Sequence, residues 1–224
     1  MLQFRLFGIP CQIGLQFWIA SFLLNSTVLN THNGPLKLVL WILCLLVSIV
    51  VHELGHALVG RRFGADPYVL LYAAGGLTYL PGASFTRNRS ILVSLAGPAM
   101  GFALWLLVVA VDRLLTRSSI LDGVHETTYF TIRMVIHYLY YINGFWTCMN
   151  LLPILPLDGG QVLRAVLGPA RNNATQIIGM IFAGAVCICG VLYQQYFIAI
   201  FFGYLAYSNY IGDTRSFTGW AQRE

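Results

Sequence analysis

The stretch Ser48-Ile-Val-Val-His-Glu-Leu-Gly-His-Ala-Leu-Val-Gly60 places three ionisable side chains in an apolar run. On a helix, the four-residue spacing puts His52 and His56 on one face, where both imidazoles can ligate one zinc ion. Glu53 then lies beside the metal as a candidate base. The alternative is three packed polar residues, but burying them without a strong partner costs several kcal/mol.

The composition around this stretch is that of a membrane protein in a lipid bilayer. The chain is 58% hydrophobic and 9% charged, with a mean hydropathy of +0.71, whereas soluble domains are about one quarter charged. Its net charge of +5 comes from scattered arginines, which argues against nucleic-acid binding. Apolar blocks recur throughout, so we expect one domain over residues 1–224.

The apolar blocks predict an all-α polytopic membrane protein of about six transmembrane helices with a small membrane-associated β-hairpin or sheet. In the second span, His52 would lie about 24 Å along a hydrocarbon core of about 30 Å. The last two blocks are either two short spans or a re-entrant pair. The expected spans cover residues 15–29, 36–60, 90–111, 129–150, 175–193 and 196–211.

Two segments outside these spans have the pattern of extended chain. Residues 1–13 alternate partially and contain Gly8 and Pro10, which favours a short strand or an interfacial segment. The segment from Tyr72 to Pro81 predicts a glycine-broken strand or hairpin. Its edge could accept an extended peptide, and a plain connecting hairpin is an equal alternative.

Small and polar residues mark the third span and its end. Gly97 and Gly101 form a small-xxx-small face for close helix packing, and Pro98 between them is a candidate kink. The polar residues from 112 to 126 are expected to form a solvated loop.

The stretch Asn150-Leu-Leu-Pro-Ile-Leu-Pro-Leu-Asp-Gly-Gly160 breaks the fourth span. Pro153 and Pro156 cannot continue a regular helix, and irregular backbone at membrane depth must line a cavity or be buried in protein. The carboxylate of Asp158 is therefore a functional candidate. His137, earlier in the same span, is expected to pair with a neighbouring group rather than with a metal.

The positive charges predict an orientation. With six spans and both termini on one side, nine of the thirteen positive residues share that side, which the positive-inside rule makes cytoplasmic. The metal motif would then lie towards the cytoplasm of a cell (inner) membrane. The nine residues are Arg5, Arg61, Arg62, Arg87, Arg89, Arg164, Arg171, Arg215 and Arg223.

These motifs together resemble the site-2 protease family of intramembrane zinc metalloproteases. The resemblance covers residues 36–165 and includes Ser94-Leu-Ala-Gly-Pro98 and the strand with Gly75 and Gly76. Many members have asparagine where this chain has Gly101, a difference that bears on packing. We also expect the compact form of the family, without a PDZ or CBS domain.

The resemblance implies a role for each matching residue. His52, His56 and Asp158 would bind one zinc ion per chain, with water in the fourth position, and Glu53 would be the base. Asn150 would hold the substrate backbone, unless it only hydrogen-bonds the loop at Pro153. The expected substrate-binding residues are Asn150, Pro153, Pro156, Gly75, Gly76 and Leu77.

The resulting hypothesis is hydrolysis of a peptide bond within or next to the transmembrane segment of a single-span membrane protein, as in regulated intramembrane proteolysis. Two alternatives are a zinc transporter and a catalytically idle membrane scaffold. A transporter predicts His and acidic residues along a path through several spans, whereas here they collect at one depth. A scaffold predicts the loss of Glu53 or of a ligand, and all are present.

Overall fold

The computed structural model describes residues 2–121 and 123–212. This part of the chain contains seven α-helices and four β-strands. The strands are β1 (Leu2–Leu6), β2 (Ile9–Ile13), β3 (Tyr68–Tyr72) and β4 (Gly75–Tyr79). The helices are α1 (Leu15–Leu24), α2 (Gly34–Arg62), α3 (Arg87–Arg117), α4 (Glu126–Asn150), α5 (Asp158–Leu167), α6 (Asn172–Leu192) and α7 (Tyr196–Ile211).

The strands form one sheet with the order β1-β2-β3-β4. The two segments expected to be extended are therefore joined, because β2 pairs in parallel with β3, with Cys11 opposite Val69. Alternating residues of β2 are buried, including Ile9 and Ile13, and they pack in one core with residues of α2 and α4. Strand β4 forms a hairpin with β3 and lies at an edge of the sheet.

Helix α2 is the central element of the bundle. It packs against α3, α4 and β4, and its buried residues include His52, Glu53 and His56. Small residues allow the close contact with α3, since a Cβ atom added at Gly55 would overlap the carbonyl oxygen of Ala96. This is the close helix packing that the small residues of the third span predict.

Helix α3 is longer than its predicted span of residues 90–111, because it continues to Arg117. The interpretation of residues 112–126 as a loop was therefore wrong for the first part of that segment. Asp112 is helical, and its Oδ1 accepts a hydrogen bond of 2.6 Å from Nη1 of Arg133 on α4. This contact accommodates a charged residue at the helix end, so the helix need not stop where the apolar run stops.

The fourth span breaks where the prolines predict. Helix α4 ends at Asn150, a non-helical segment follows, and α5 begins at Asp158. The middle of the segment is enclosed by protein, because Ile154 and Leu155 are fully buried. Ile154 packs in a core with residues of α6 and α7, including Ala183 and Phe202.

The two C-terminal apolar blocks form separate helices. Helices α6 and α7 pack against each other, and a Cβ atom added at Gly190 would lie 2.8 Å from the backbone nitrogen of Ala199. The turn between them contains Gln194 and Gln195. Whether they form two spans or a re-entrant pair stays a prediction.

Within the described residues, three helical segments are long and apolar enough to cross a bilayer: Gly34–Arg62, Arg87–Arg117 and Pro169–Leu192. Helices α1 and α7 are apolar but have only 10 and 16 residues. Helix α4 has 25 residues but is not apolar enough to be counted with these three segments. The fold is thus a helical membrane protein with a small sheet, and the number of six spans stays a prediction.

Candidate active site

Helices α2 and α5 bring together the three predicted metal ligands. Nε2 of His52 lies 3.1 Å from Oδ2 of Asp158, and Nε2 of His56 lies 3.3 Å from Oδ1. The two Nε2 atoms are 3.2 Å apart. Both imidazoles are buried, and the carboxylate is 14% exposed. The predicted ligands thus converge on one point.

Their spacing and chemistry fit zinc. Donor atoms bound about 2.0–2.1 Å from a tetrahedral zinc ion lie roughly 3.3 Å apart, and the three closest distances here are 3.1, 3.2 and 3.3 Å. Two imidazoles and one carboxylate leave one of four coordination positions free, which is typical of a catalytic site. Within the part of the chain that the structure describes, this is the one such cluster of His, Cys, Asp and Glu.

A backbone carbonyl selects the tautomer of His56. Its Nδ1 lies 2.7 Å from the carbonyl oxygen of Val93 on α3. Because a carbonyl oxygen only accepts, Nδ1 must carry the proton in this hydrogen bond. The lone pair of Nε2 is then directed towards Asp158 and is available to a metal.

Gly97 provides room for the metal ligands. A Cβ atom at this position would overlap Nε2 of His56 and lie 2.8 Å from Nε2 of His52. The sequence analysis assigned Gly97 to helix packing alone. In the structure it also forms the wall of α3 against both imidazoles, so any side chain would intrude on the ligand atoms.

The broken helix positions Asp158. Two glycines follow it, and Cβ atoms at Gly159 and Gly160 would overlap or crowd the backbone of the preceding segment. The carbonyl of Leu155 accepts a hydrogen bond of 2.6 Å from Nδ2 of Asn209 on α7. The carboxylate lies in the first turn of α5, where the helix dipole favours a negative charge.

Glu53 lies between the cluster and the sheet. Its Oε2 accepts a hydrogen bond of 2.6 Å from Oγ1 of Thr78 on β4. A Cβ atom added at Gly76 would overlap the Glu53 side chain. The Thr78 hydroxyl and Gly76 therefore fix the Glu53 carboxylate beside the predicted metal ligands. Both residues belong to β4, the strand with the free edge.

A cavity of about 300 Å³ opens beside these groups. Of the predicted substrate-binding residues, Gly76, Leu77, Asn150 and Pro156 line it. Nδ2 of Asn150 donates to the carbonyl of Trp146, one turn earlier in α4. Gly75 and Pro153 are not part of the described cavity wall.

Several residues of the site were not predicted. Thr78 and the Val93 carbonyl contact Glu53 and His56, but neither belongs to a sequence pattern that reveals its partner. Aromatic side chains also complete the cavity, and a run of apolar sequence gives no sign of which of them face a pocket. These aromatic residues are Tyr72, Trp146, Phe201 and Tyr204.

His137 lies in a different place, as the sequence analysis expected. Its ring centroid is 4.6 Å from that of Tyr141 on the same helix. It lines a second cavity of about 620 Å³ between α3 and α4, together with Asp112 and Arg133.

The site has the groups of a metallohydrolase, namely two histidines, a carboxylate and a neighbouring glutamate. Comparisons with known proteins agree with this class of site. Residues 40–191 match Peptidase family M50, the site-2 protease family. The chain belongs to this family. The predicted resemblance is therefore confirmed.

Several curated relatives are named as zinc metalloproteases. The putative zinc metalloprotease Rip3 of Mycobacterium tuberculosis is 33% identical over 177 residues, which are 75% of this chain and 43% of Rip3. The zinc metalloprotease MJ0392 of Methanocaldococcus jannaschii is 26% identical over 169 residues, 73% of this chain and 44% of that protein. Stage IV sporulation protein FB of Bacillus subtilis is 28% identical over 157 residues, 66% of this chain and 46% of that protein.

The chain spans less than half the length of these three relatives. No solved structure matches it.

Proposed function

We propose that this protein is an intramembrane zinc metalloprotease that cleaves a peptide bond within or next to the transmembrane segment of a single-span membrane protein. One observation carries the proposal: the ligand atoms of His52, His56 and Asp158 converge beside a cavity within a bundle of apolar helices. Membership of Peptidase family M50 supports the same activity.

The residues of the site would divide the work of hydrolysis. Zinc held by the three ligands would polarise the substrate carbonyl and lower the pKa of a water molecule. Glu53 would accept a proton from that water and later donate it to the leaving amine. The hydrogen bond from Thr78 aims one oxygen of Glu53.

Strand β4 would hold the substrate in an extended form. The peptide bonds of a substrate helix are already hydrogen-bonded within the helix, so it must unwind before a carbonyl becomes accessible. The free edge of β4 offers backbone groups to an unwound segment. Because Gly76 contacts Glu53, a peptide paired with this edge would pass beside the base and the metal ligands.

The arrangement of charges supports an active site towards the cytoplasm. Arg61 donates to the carbonyl of Phe7 in the β1–β2 turn, and the guanidinium of Arg89 lies over the ring of Phe63. Positive residues of α2 and α3 thus gather where α2 ends and α3 begins, about 15 Å beyond His52 along α2. Arg215 and Arg223, which were also assigned to this side, lie outside the described residues.

The test of the activity is a comparison of two variants in liposomes that contain candidate single-span proteins, with new peptide ends identified by mass spectrometry. We expect E53Q to lose cleavage about 10²–10⁴-fold and to keep its zinc, because it leaves all three ligands in place. D158A should lose both cleavage and zinc. Full cleavage by either variant would remove that residue from the mechanism.

The role of β4 is tested by the proline substitution L77P, with L77A as the matched control. Gly75 and Gly76 are left unchanged, because a Cβ atom there would lie against Trp146 or overlap Glu53 and would itself disturb the site. Proline removes a backbone donor from the strand, so L77P should slow cleavage more than L77A. Zinc content and thermal midpoint show that both variants remain folded. Equal cleavage by the two folded variants would contradict strand addition at this edge.

A further inference from the structure

The two histidine ligands are anchored differently. Nδ1 of His56 donates to the Val93 carbonyl at 2.7 Å. Nδ1 of His52 is buried, and none of the described residues provides it with a hydrogen-bond partner. If Nε2 of His52 faces a metal, Nδ1 carries a proton. Leaving such a buried donor unsatisfied is costly, so an acceptor is expected near this atom.

Thr147 on α4 presents a second unsatisfied group. Its hydroxyl oxygen is buried and likewise lacks a partner among residues 2–121 and 123–212. The residue is only 6% exposed, and His52 is 2% exposed, so bulk solvent does not satisfy either atom. Two unpaired polar groups from neighbouring helices therefore remain in the interior of the bundle.

Both atoms border the space left by Gly101. A Cβ atom added at Gly101 would lie 2.8 Å from Oγ1 of Thr147 and 3.8 Å from Nδ1 of His52. A water molecule cannot occupy that point itself, which is one bond length from the Cα atom of Gly101, so it has to lie farther from the α3 backbone, between the two polar atoms. A buried water in this position bridges such otherwise unsatisfied groups.

We propose that Thr147 is a positioning residue for His52 and acts through one water molecule held beside Gly101. Nδ1–H of His52 donates to the water, and the water donates to Oγ1 of Thr147. This bridge fixes the tautomer in which Nε2 of His52 faces the metal, as the Val93 carbonyl does for His56. The absence of a side chain at Gly101 then provides the space for the water as well as close packing of α3.

This inference rests on the proposed zinc site, so its test measures zinc affinity rather than cleavage. The purified full chain in detergent is titrated with zinc against a competing chelator. The variants are T147V, which removes the hydroxyl, T147S, which keeps it, and G101A, which fills the space of the water. T175V is the matched control, since Thr175 is fully buried on α6 and does not line the cavity.

Loss of a group that orients a metal-binding histidine typically weakens metal binding about 10–100-fold. We expect a loss of this size in T147V and in G101A, and an affinity close to wild type in T147S and T175V. The thermal midpoint of each zinc-free variant is measured to identify any loss of folding. Should T147V not fold, G101A and T147S still test the water and the hydroxyl.

Three results would overturn the inference. Zinc affinity in T147V and G101A equal to wild type would show that His52 needs no such bridge. A loss in T147S as large as in T147V would indicate packing rather than the hydroxyl. Failure of the wild-type chain to bind zinc would contradict both the proposed function and this inference. The titration of the wild-type chain alone separates this result from the two results for the variants.

Discussion

Two cavities of this protein each contain histidine and aspartate, but only one has the arrangement of a metal site. The cavity between α3 and α4 is the larger, at about 620 Å³ against about 300 Å³. In it, Asp112 is paired with Arg133, both side chains are 38% exposed, and the His137 ring packs against that of Tyr141. In the smaller cavity, the ligand atoms of the three predicted metal-binding residues all lie within 4.8 Å of one another.

The difference shows what makes a set of titratable residues a candidate metal centre. Cavity size does not decide it, since the larger cavity has no convergent donors among the described residues. An arginine neutralises the carboxylate of Asp112 in the larger cavity. In the smaller cavity, the buried carboxylate of Asp158 faces two imidazoles, and no lysine or arginine among the described residues pairs with it. Burying a carboxylate without a cation is costly, so the smaller cavity has the stronger need for a metal ion.

The largest expected effect is that of G97A. The added methyl group would overlap Nε2 of His56 and crowd that of His52, so we expect zinc binding to be lost. Zinc per protein, measured by elemental analysis, checks this. G184A is the matched control on α6, because no described atom lies within 4 Å of its added Cβ, and it should keep its zinc. A G97A variant with a full complement of zinc would contradict the assigned position of the site.

A smaller effect is expected at Asn209, which holds the broken helix from α7. N209A leaves the buried carbonyl of Leu155 without its donor, which typically costs about 1–3 kcal/mol. We expect a lower free energy of unfolding and weaker zinc binding, because the loop before Asp158 loses a support. Denaturant titration and zinc titration check the two effects. Asn173, an exposed residue of α6, gives the control N173A, and equal results for the two variants would contradict this role.

The smallest effect is expected in the larger cavity. D112N breaks the ion pair with Arg133, but a partly exposed pair contributes only about 0–1 kcal/mol after screening by solvent. Zinc binding and cleavage should not change, and unfolding should shift only slightly. Loss of zinc from this variant would erase the distinction between the cavities and favour the alternative of a zinc transporter, in which both would belong to one ion path.

The sequence predicted the parts of the site that depend on local spacing. The repeat of His52 and His56 at one helical turn and the break caused by two prolines are short-range patterns, and the structure brings them together as the resemblance implied. The ends of α2 and α4 also lie close to the predicted bounds.

Contacts between distant segments could not be predicted in this way. The pairing of β2 with β3 joins residues 58 positions apart, as in Cys11 with Val69, and five-residue strands contain too little pattern to specify a partner. Thr78 contacts Glu53 across 25 positions. Gly101 was assigned to packing because its empty space matters only beside Thr147, a residue of another helix.

The most direct test of the account is diffraction from crystals of the purified protein above and below the zinc absorption edge. We predict one anomalous peak, about 2.0–2.2 Å from Nε2 of His52, Nε2 of His56 and a carboxylate oxygen of Asp158. A peak at another position, or no peak in protein never exposed to a chelator, would contradict the assignment of these residues as the zinc ligands.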